Sequence, residues 1–240
     1  MKKGGIVKIE YDMWTEVDGV LKLCETTSQE HAKKEGIYNE NMTFHPLYTI
    51  LGENRIPTGF DNSLLNAEVE KEYEIRVEPA EGFGEEKAEL IETIPLKEFR
   101  KKKLRPKVGM VVSVGNRDGQ IIRITESRAF VDFNHPLAGK TLKYKYKTLS
   151  EARNTKEKAQ WVLASDYDHF GIELPEVKIE NNNIEVKLID RCKTDPEWTF
   201  AKYRAVSDLR KFAGVKTVRF VEEYPFVEKK EKVEEETKKG

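Results

Sequence analysis

The chain has 240 residues, with 42 Lys and Arg against 43 Asp and Glu and a formal net charge of -1. At 38% hydrophobic and 35% charged residues, it is too apolar for wholesale disorder, and it presents no global field to gather nucleic acid or an anionic membrane. Cys24 and Cys192 lie far apart and outside any Cys/His ligand spacing, which excludes a disulfide framework and a cysteine-based zinc site and suits a reducing cytoplasm.

From residue 6, Val7, Ile9 and Tyr11 alternate against Lys8, Glu10 and Asp12 as a half-buried strand, and Asp18-Gly19 supplies a hairpin turn before Val20. Residues 26–43 are polar and irregular, with room for one helical turn after Ser28. Residues 47–51 read as a strand. Pro57 and Gly59 introduce a short amphipathic helix over 61–65, and another strand follows at 72–77. Past Gly84, short strands are expected at 89–93, 110–114, 120–125 and 129–133, the middle pair joined by a turn at Asn116-Arg117-Asp118-Gly119. Residues 142–149 resume the first style of alternation, so residues 85–136 read as an insertion into one fold.

A third segment opens near Thr155 with a helix whose Ala159, Val162, Leu163, Tyr167 and Phe170 recur at helical spacing until Gly171. Strands are expected at 172–179 and 184–191. Asp195-Pro196 then caps a second helix, with Trp198, Ala201, Ala205, Leu209 and Phe212 inward, and a last strand runs over 215–224. The expected domains are 1–84 with 137–154, an inserted 85–136, an α+β domain at 155–227 and a solvated charged tail at 228–240. No stretch approaches the ~20 apolar residues of a membrane span. Lys8, Glu10 and Asp12 fall where a signal peptide needs its apolar core.

The ordered series Tyr11, Asp18-Gly19, Cys24-Glu25-Thr26-Thr27, Leu51-Gly52, Ile56-Pro57-Thr58-Gly59-Phe60, Glu78 to Gly84 and Leu142-Lys143-Tyr144 resembles the FKBP-type peptidyl-prolyl cis/trans isomerases. The insertion after Gly82-Phe83-Gly84, closed by Asn134 to Gly139, is similar to the long, SlyD-like subfamily with an insert-in-flap domain. The resemblance covers residues 1 to about 150. It implies an α+β fold in which a bent antiparallel half-barrel surrounds a short helix, carries an inserted small β domain and is followed by the C-terminal α+β domain.

It also implies an isomerase pocket. Carried over residue by residue, Tyr11, Glu25, Ile56, Phe60, Phe83 and Tyr144 would be catalytic, with Phe60 as floor, and Cys24, Leu47 and Pro57 would bind substrate. No cofactor or metal is implied. Relatives with a His-rich metal-binding tail give no ground for one here, because residues 228–240 contain no His and His31, His45, His135 and His169 are scattered. Four positions depart from the family pattern: Cys24 stands for an aromatic, Glu25 for Asp, Phe60 for a frequent Trp, and Phe83 for a Tyr whose hydroxyl would meet a substrate carbonyl. Pro57 offers no amide N–H. Isomerase activity with weakened macrolide binding is the expected result.

For the insert the resemblance implies a chaperone surface, with Ile94, Leu96, Met110 and Val112 as candidate client-binding residues; the alternative is that they form only the insert's own core. Expected partners are unfolded or partly folded chains with X-Pro bonds. The basic run from Arg100 to Lys107 could grip phosphates as an RNA or ribosome contact, but a solvated loop is preferred, since Glu85, Glu86, Glu89, Glu92 and Glu98 dilute its field. The third domain specifies no chemistry. Substrate holding, self-association and ribosome contact stay open there, with a second chaperone surface that also forms a homodimer favoured because a small α+β layer has a sheet face to cover. The rival from another class is a holdase with an impaired pocket.

Overall fold

β1 (Ile6–Val17) organises the first half of the chain. Its inward phase holds, with Val7, Ile9, Tyr11 and Met13 buried in one apolar cluster, but Asp12, expected outward with Lys8 and Glu10, is buried too because Thr26 and His31 cover it. The computed structural model describes residues 1–17 and 19–225; Asp18 of the expected hairpin turn and the tail expected at 228–240 lie outside the described residues. Two compact units divide the chain, residues 1–154 and the part from Thr155 onward.

β1 is long enough to take two strands end to end along one edge. Antiparallel β2 (Val20–Thr26) pairs with its Asp12–Val17 half, and antiparallel β3 (Leu47–Ile50) with its Ile6–Ile9 half. Between them α1 (Gln29–Lys34) starts where the Ser28 hydroxyl accepts the His31 amide. The other edge of β1 pairs with antiparallel β9 (Thr141–Glu151), and β9 with β4 (Glu72–Val77), giving the order β2-β1-β9-β4. α2 (Thr58–Asn66) packs Phe60 and Leu64 into this sheet's apolar cluster. Gly59 lets it approach β4, since a Cβ there would sit 2.8 Å from Val77 Cγ1. Asp61, in the first turn of α2, accepts the Gly52 amide at 2.8 Å and ties the helix to the end of β3. On the surface, Lys145–Glu72 (3.3 Å), Lys147–Glu70 (2.5 Å) and Lys143–Glu74 form an ion-pair ladder along β4 and β9.

Residues 91–132 build a separate antiparallel sheet: β5 (Ile91–Pro95), then α3 (Leu96–Lys101), β6 (Val111–Val114), β7 (Arg117–Ile124) and β8 (Arg128–Asp132), ordered β5-β8-β7-β6. It has its own core of Ile94, Phe99, Val112, Ile121, Ala129 and Val131. The β6–β7 turn is not where the sequence places it. Val114 pairs with Arg117, so Gly115 (φ 63°) and Asn116 make a two-residue turn, and Asp118-Gly119 lies within β7.

In the second unit, α4 (Thr155–Asp166) stops short, and Phe170 and Gly171 belong to a separate turn of helix, α5 (His169–Ile172). β10 (Glu176–Glu180) and β11 (Asn183–Lys187) are joined through Asn181 and Asn182, both left-handed at φ 49° and 62°, the mirror-image turn that matches strand twist. α6 (Pro196–Phe212), capped by Asp195, then crosses to β12 (Thr217–Val221), which runs parallel to β11. Trp198 is buried among aromatic rings, 5.2 Å from both Phe170 and Phe220 by ring centroids. Fold class is therefore mixed α+β, built largely from antiparallel sheet.

Candidate active site

The pairing of β1 with β9 sets Tyr11 opposite Tyr146 and Met13 opposite Tyr144, so three tyrosines face the same side of the sheet. α2 delivers Phe60 among them. Its ring stacks on Tyr144 at 4.4 Å, meets Tyr146 edge-on at 5.1 Å and lies 5.7 Å from Tyr11. Such offset and tilted pairs fix ring orientation beyond simple burial. Cys24, Leu47, Ile56 and Phe83 pack half-buried against the same cluster. Seven of the residues named from sequence, Tyr11, Cys24, Leu47, Ile56, Phe60, Phe83 and Tyr144, are thus brought together.

Glu25 and Pro57 stand differently. Glu25 is exposed, but its carboxylate accepts the Tyr11 hydroxyl, which links an acidic rim to the aromatic floor. Pro57 is half-buried ahead of α2, where its carbonyl accepts the Asp61 amide at 2.9 Å. The electrostatics keep the floor neutral. Burial, then the nearby Glu25 carboxylate, pushes the Tyr144 hydroxyl well above the usual phenol range, and burial raises Tyr146 against the pull of Ser63. Burial and Glu25 also raise the Cys24 thiol, which donates to the Met13 carbonyl at 3.1 Å. A protonated thiol is a poor nucleophile, so this arrangement is built to receive an apolar group.

Two residues of the pocket escaped the sequence reading. Tyr146 has the signal of period-two spacing from Tyr144 on β9. His135 is read from the sequence only as a scattered histidine within the segment closing the insert; its ring stacks on Phe83 at 4.3 Å and 5° between planes. Gly139 donates to the Gly84 carbonyl and the Asn134 side chain brackets Lys87, so the two segments linking the insert are fastened to each other next to Phe83. On the opposite face of β1, Asp12 accepts the Thr26 hydroxyl at 2.5 Å and meets His31 Nδ1 at 2.8 Å, pinning β2 and α1.

The insert candidates divide. Ile94 and Val112, named as client-binding residues, lie inside the insert's core at 9% and 4% exposure, because their parity on β5 and β6 points them inward. Leu96 and Met110 are half-buried against that core, and Leu96 opens α3 rather than lying on a strand. The apolar surface instead comes from Val108 and Val111, each 64% exposed, and Ile122. In the second unit Phe200 and Tyr203 of α6 are about four-fifths exposed. Among the described residues, His169, Asp195 and Glu197 bring three potential metal-ligand atoms within 4.8 Å of one another, but Asp195 is already engaged by Tyr167 and Arg191. No helix among the described residues is long and apolar enough to cross a membrane.

An antiparallel sheet thus packs on one helix around a cluster of neutral aromatic rings, with the Glu25 carboxylate at its edge. Two family profiles match: FKBP26, IF domain, over residues 92–137, and FKBP26_C-terminal, over residues 155–225. A short-type peptidyl-prolyl cis-trans isomerase of Methanocaldococcus jannaschii is 34% identical over 147 residues, covering 61% of this chain and 91% of the relative. An FKBP-type peptidyl-prolyl cis-trans isomerase SlyD of Helicobacter pylori is 31% identical over 137 residues, 55% and 71% of the two chains. An FKBP-type 16 kDa peptidyl-prolyl cis-trans isomerase of Escherichia coli is 29% identical over 134 residues, 54% and 84%. The chain belongs to the family of FKBP-type peptidyl-prolyl cis-trans isomerases, an enzyme family, and is of its SlyD-like kind.

Proposed function

We propose that the chain isomerises X-Pro peptide bonds of unfolded or partly folded polypeptides, in a bent half-barrel of residues 1–84 and 137–154 folded round α2 and interrupted in its flap by residues 85–136. The observation that carries this reading is the convergence of the seven residues from Tyr11 to Tyr144 on one apolar cluster lined by neutral rings. Twisting an X-Pro amide breaks its resonance against a barrier of about 18–20 kcal/mol, and unaided isomerisation takes about 10 to 100 s. A twisted amide is less polar than a planar one, so a water-poor aromatic site favours the transition state over the ground state. Phe60 serves as floor for the prolyl ring. Glu25, at the rim and bonded to Tyr11, orients the polar backbone of the substrate.

Val108, Val111 and Ile122 supply the insert with a surface for holding unfolded segments beside the pocket. Phe200 and Tyr203 give the C-terminal unit a second such surface, through which two copies pair. The working compartment on this reading is the cytoplasm. The test is refolding of a proline-limited protein with catalytic amounts of the chain, alongside a cis-Pro tetrapeptide assay. Acceleration of both is expected, larger on the protein. Suppressed aggregation without acceleration of either would replace the isomerase with a holdase.

A further inference from the structure

Between Lys97 and Lys107 seven side chains are cationic and Glu98 alone is acidic. All seven are exposed. Lys101 pairs with Glu98 at 3.0 Å, and Lys102 donates to the Ser113 carbonyl at 3.1 Å. Lys97, Arg100, Lys103, Arg105 and Lys107 meet no acidic partner among the described residues. The Lys102 bond to β6, and the Met110 amide bonded to the Lys107 carbonyl at 3.1 Å, hold this segment beside Val108 and Val111. Several of the insert's carboxylates are occupied or lie ahead of its sheet: Glu92 binds Arg117 at 2.6 Å, Asp118 is held by the Ser113 hydroxyl at 2.5 Å, Asp132 accepts the Asn134 amide at 2.8 Å, and Glu85, Glu86 and Glu89 precede β5. A net charge near zero therefore hides an apolar patch fringed by unpaired cations.

We propose that this surface selects client segments in which a short apolar stretch is flanked by Asp or Glu. The inference rests on the reading of the insert as a client-holding surface. An extended chain that lays an apolar side chain on Val108 and Val111 must place its neighbours against these cations, so acidic flanks are attracted and basic flanks repelled. Polypeptide fits the surface better than single-stranded nucleic acid, which uses free aromatic faces for base stacking. The insert's phenylalanines offer none: Phe99 is buried, Arg123 covers Phe130 at 3.8 Å, and Arg117 covers Phe133 at 4.3 Å.

The test uses the full chain and two labelled unfolded peptides with one apolar centre, flanked by Glu in one and by Lys in the other, followed by fluorescence anisotropy. At low salt the Glu-flanked peptide should bind at least about fivefold more tightly, the worth of a few exposed ion pairs, and the gap should close in 0.5 M salt, where screening shortens to about 4 Å. The triple change Arg100→Glu, Lys103→Glu and Arg105→Glu should reverse the preference while leaving tetrapeptide isomerisation unchanged. Val108→Ser with Val111→Ser should weaken both peptides alike. Equal binding of the two peptides overturns this selectivity and leaves the holding surface standing; binding of neither overturns both. Single-stranded RNA binding more tightly than the Glu-flanked peptide, with a steep salt dependence, would overturn it in favour of a phosphate-binding surface.

Discussion

Phe60 is 1% exposed and touches three tyrosines of the cluster, so on the proposed reading one side chain serves both stability and substrate. Phe60→Ala should cost about 3–5 kcal/mol of unfolding free energy, measurable by urea titration. Combined with Tyr11→Ala, it should lower proline-limited refolding catalysis at least about tenfold, the loss of one rate-limiting contact or more. Phe83→Tyr should raise kcat/KM on tetrapeptides about two- to tenfold, because one added hydrogen bond to a substrate carbonyl is worth about 0.5–1.5 kcal/mol; an unchanged value would show that Phe83, stacked on His135, does not face the peptide. Asp61 gives a pH signature of folding. Burial raises its carboxyl above the usual value, against the pull of the Gly52 amide. The folded state therefore favours the protonated form, and stability present at low pH is lost as pH rises through the raised folded value. Asp61→Asn can still accept the Gly52 amide, and its stability relative to the parent should grow between pH 3 and pH 7 in paired thermal melts.

At the scale of elements, patterns that depend on burial alternation were legible in the sequence: β1, β4, β9 and the capped α6 follow from period two, period 3.6 and Asp195-Pro196. Turn position was not, because Gly115-Asn116 and Asp118-Gly119 are both good turn pairs locally. A distant strand decides between them. A Cβ on Gly119 would lie 2.6 Å from Val131 Cγ1 and 2.8 Å from the Asp132 carbonyl, so the glycine is needed inside β7, where β8 crosses closely. Parity carries the same lesson: Val111 and Val112 are adjacent and alike, and only the register with Gln120 and Gly119 sends one out and one in. The candidate cluster was legible through the ordered motifs of a known family rather than through any local pattern; Tyr146 lies outside those motifs, and His135 lies inside the segment closing the insert, where nothing local signals its stacking on Phe83. Gly119→Ala should loosen the insert alone. Hydrogen exchange should speed up over residues 91–132, while exchange in β1 and β9 and tetrapeptide turnover stay as in the parent.

For the whole molecule, the first unit holds two separate cores, one under β1 and β9 and one inside the insert, joined by linking segments fastened near Phe83 and His135. Removal of residues 85–136 should therefore spare the pocket's fold, and it should reduce catalysis on an unfolded protein far more than on a tetrapeptide; equal losses in the two assays would deny the insert a holding role. Truncation after residue 154 should turn a dimer into a monomer by light scattering if α6 carries the pairing surface, and an unchanged oligomeric state, once the mass of the removed residues is allowed for, would dismiss it. The ladder of lysines and glutamates along β4 and β9 has a consequence of another kind. β4 is the last strand of its sheet, with a row of open backbone groups that would template growth by a second sheet. A charged fringe makes that approach unfavourable, because a docking sheet would have to strip water from the lysines and glutamates; since that dehydration penalty falls on heating, the guard weakens as the temperature rises, and edge-to-edge association of the folded chain becomes easier when hot than when cold.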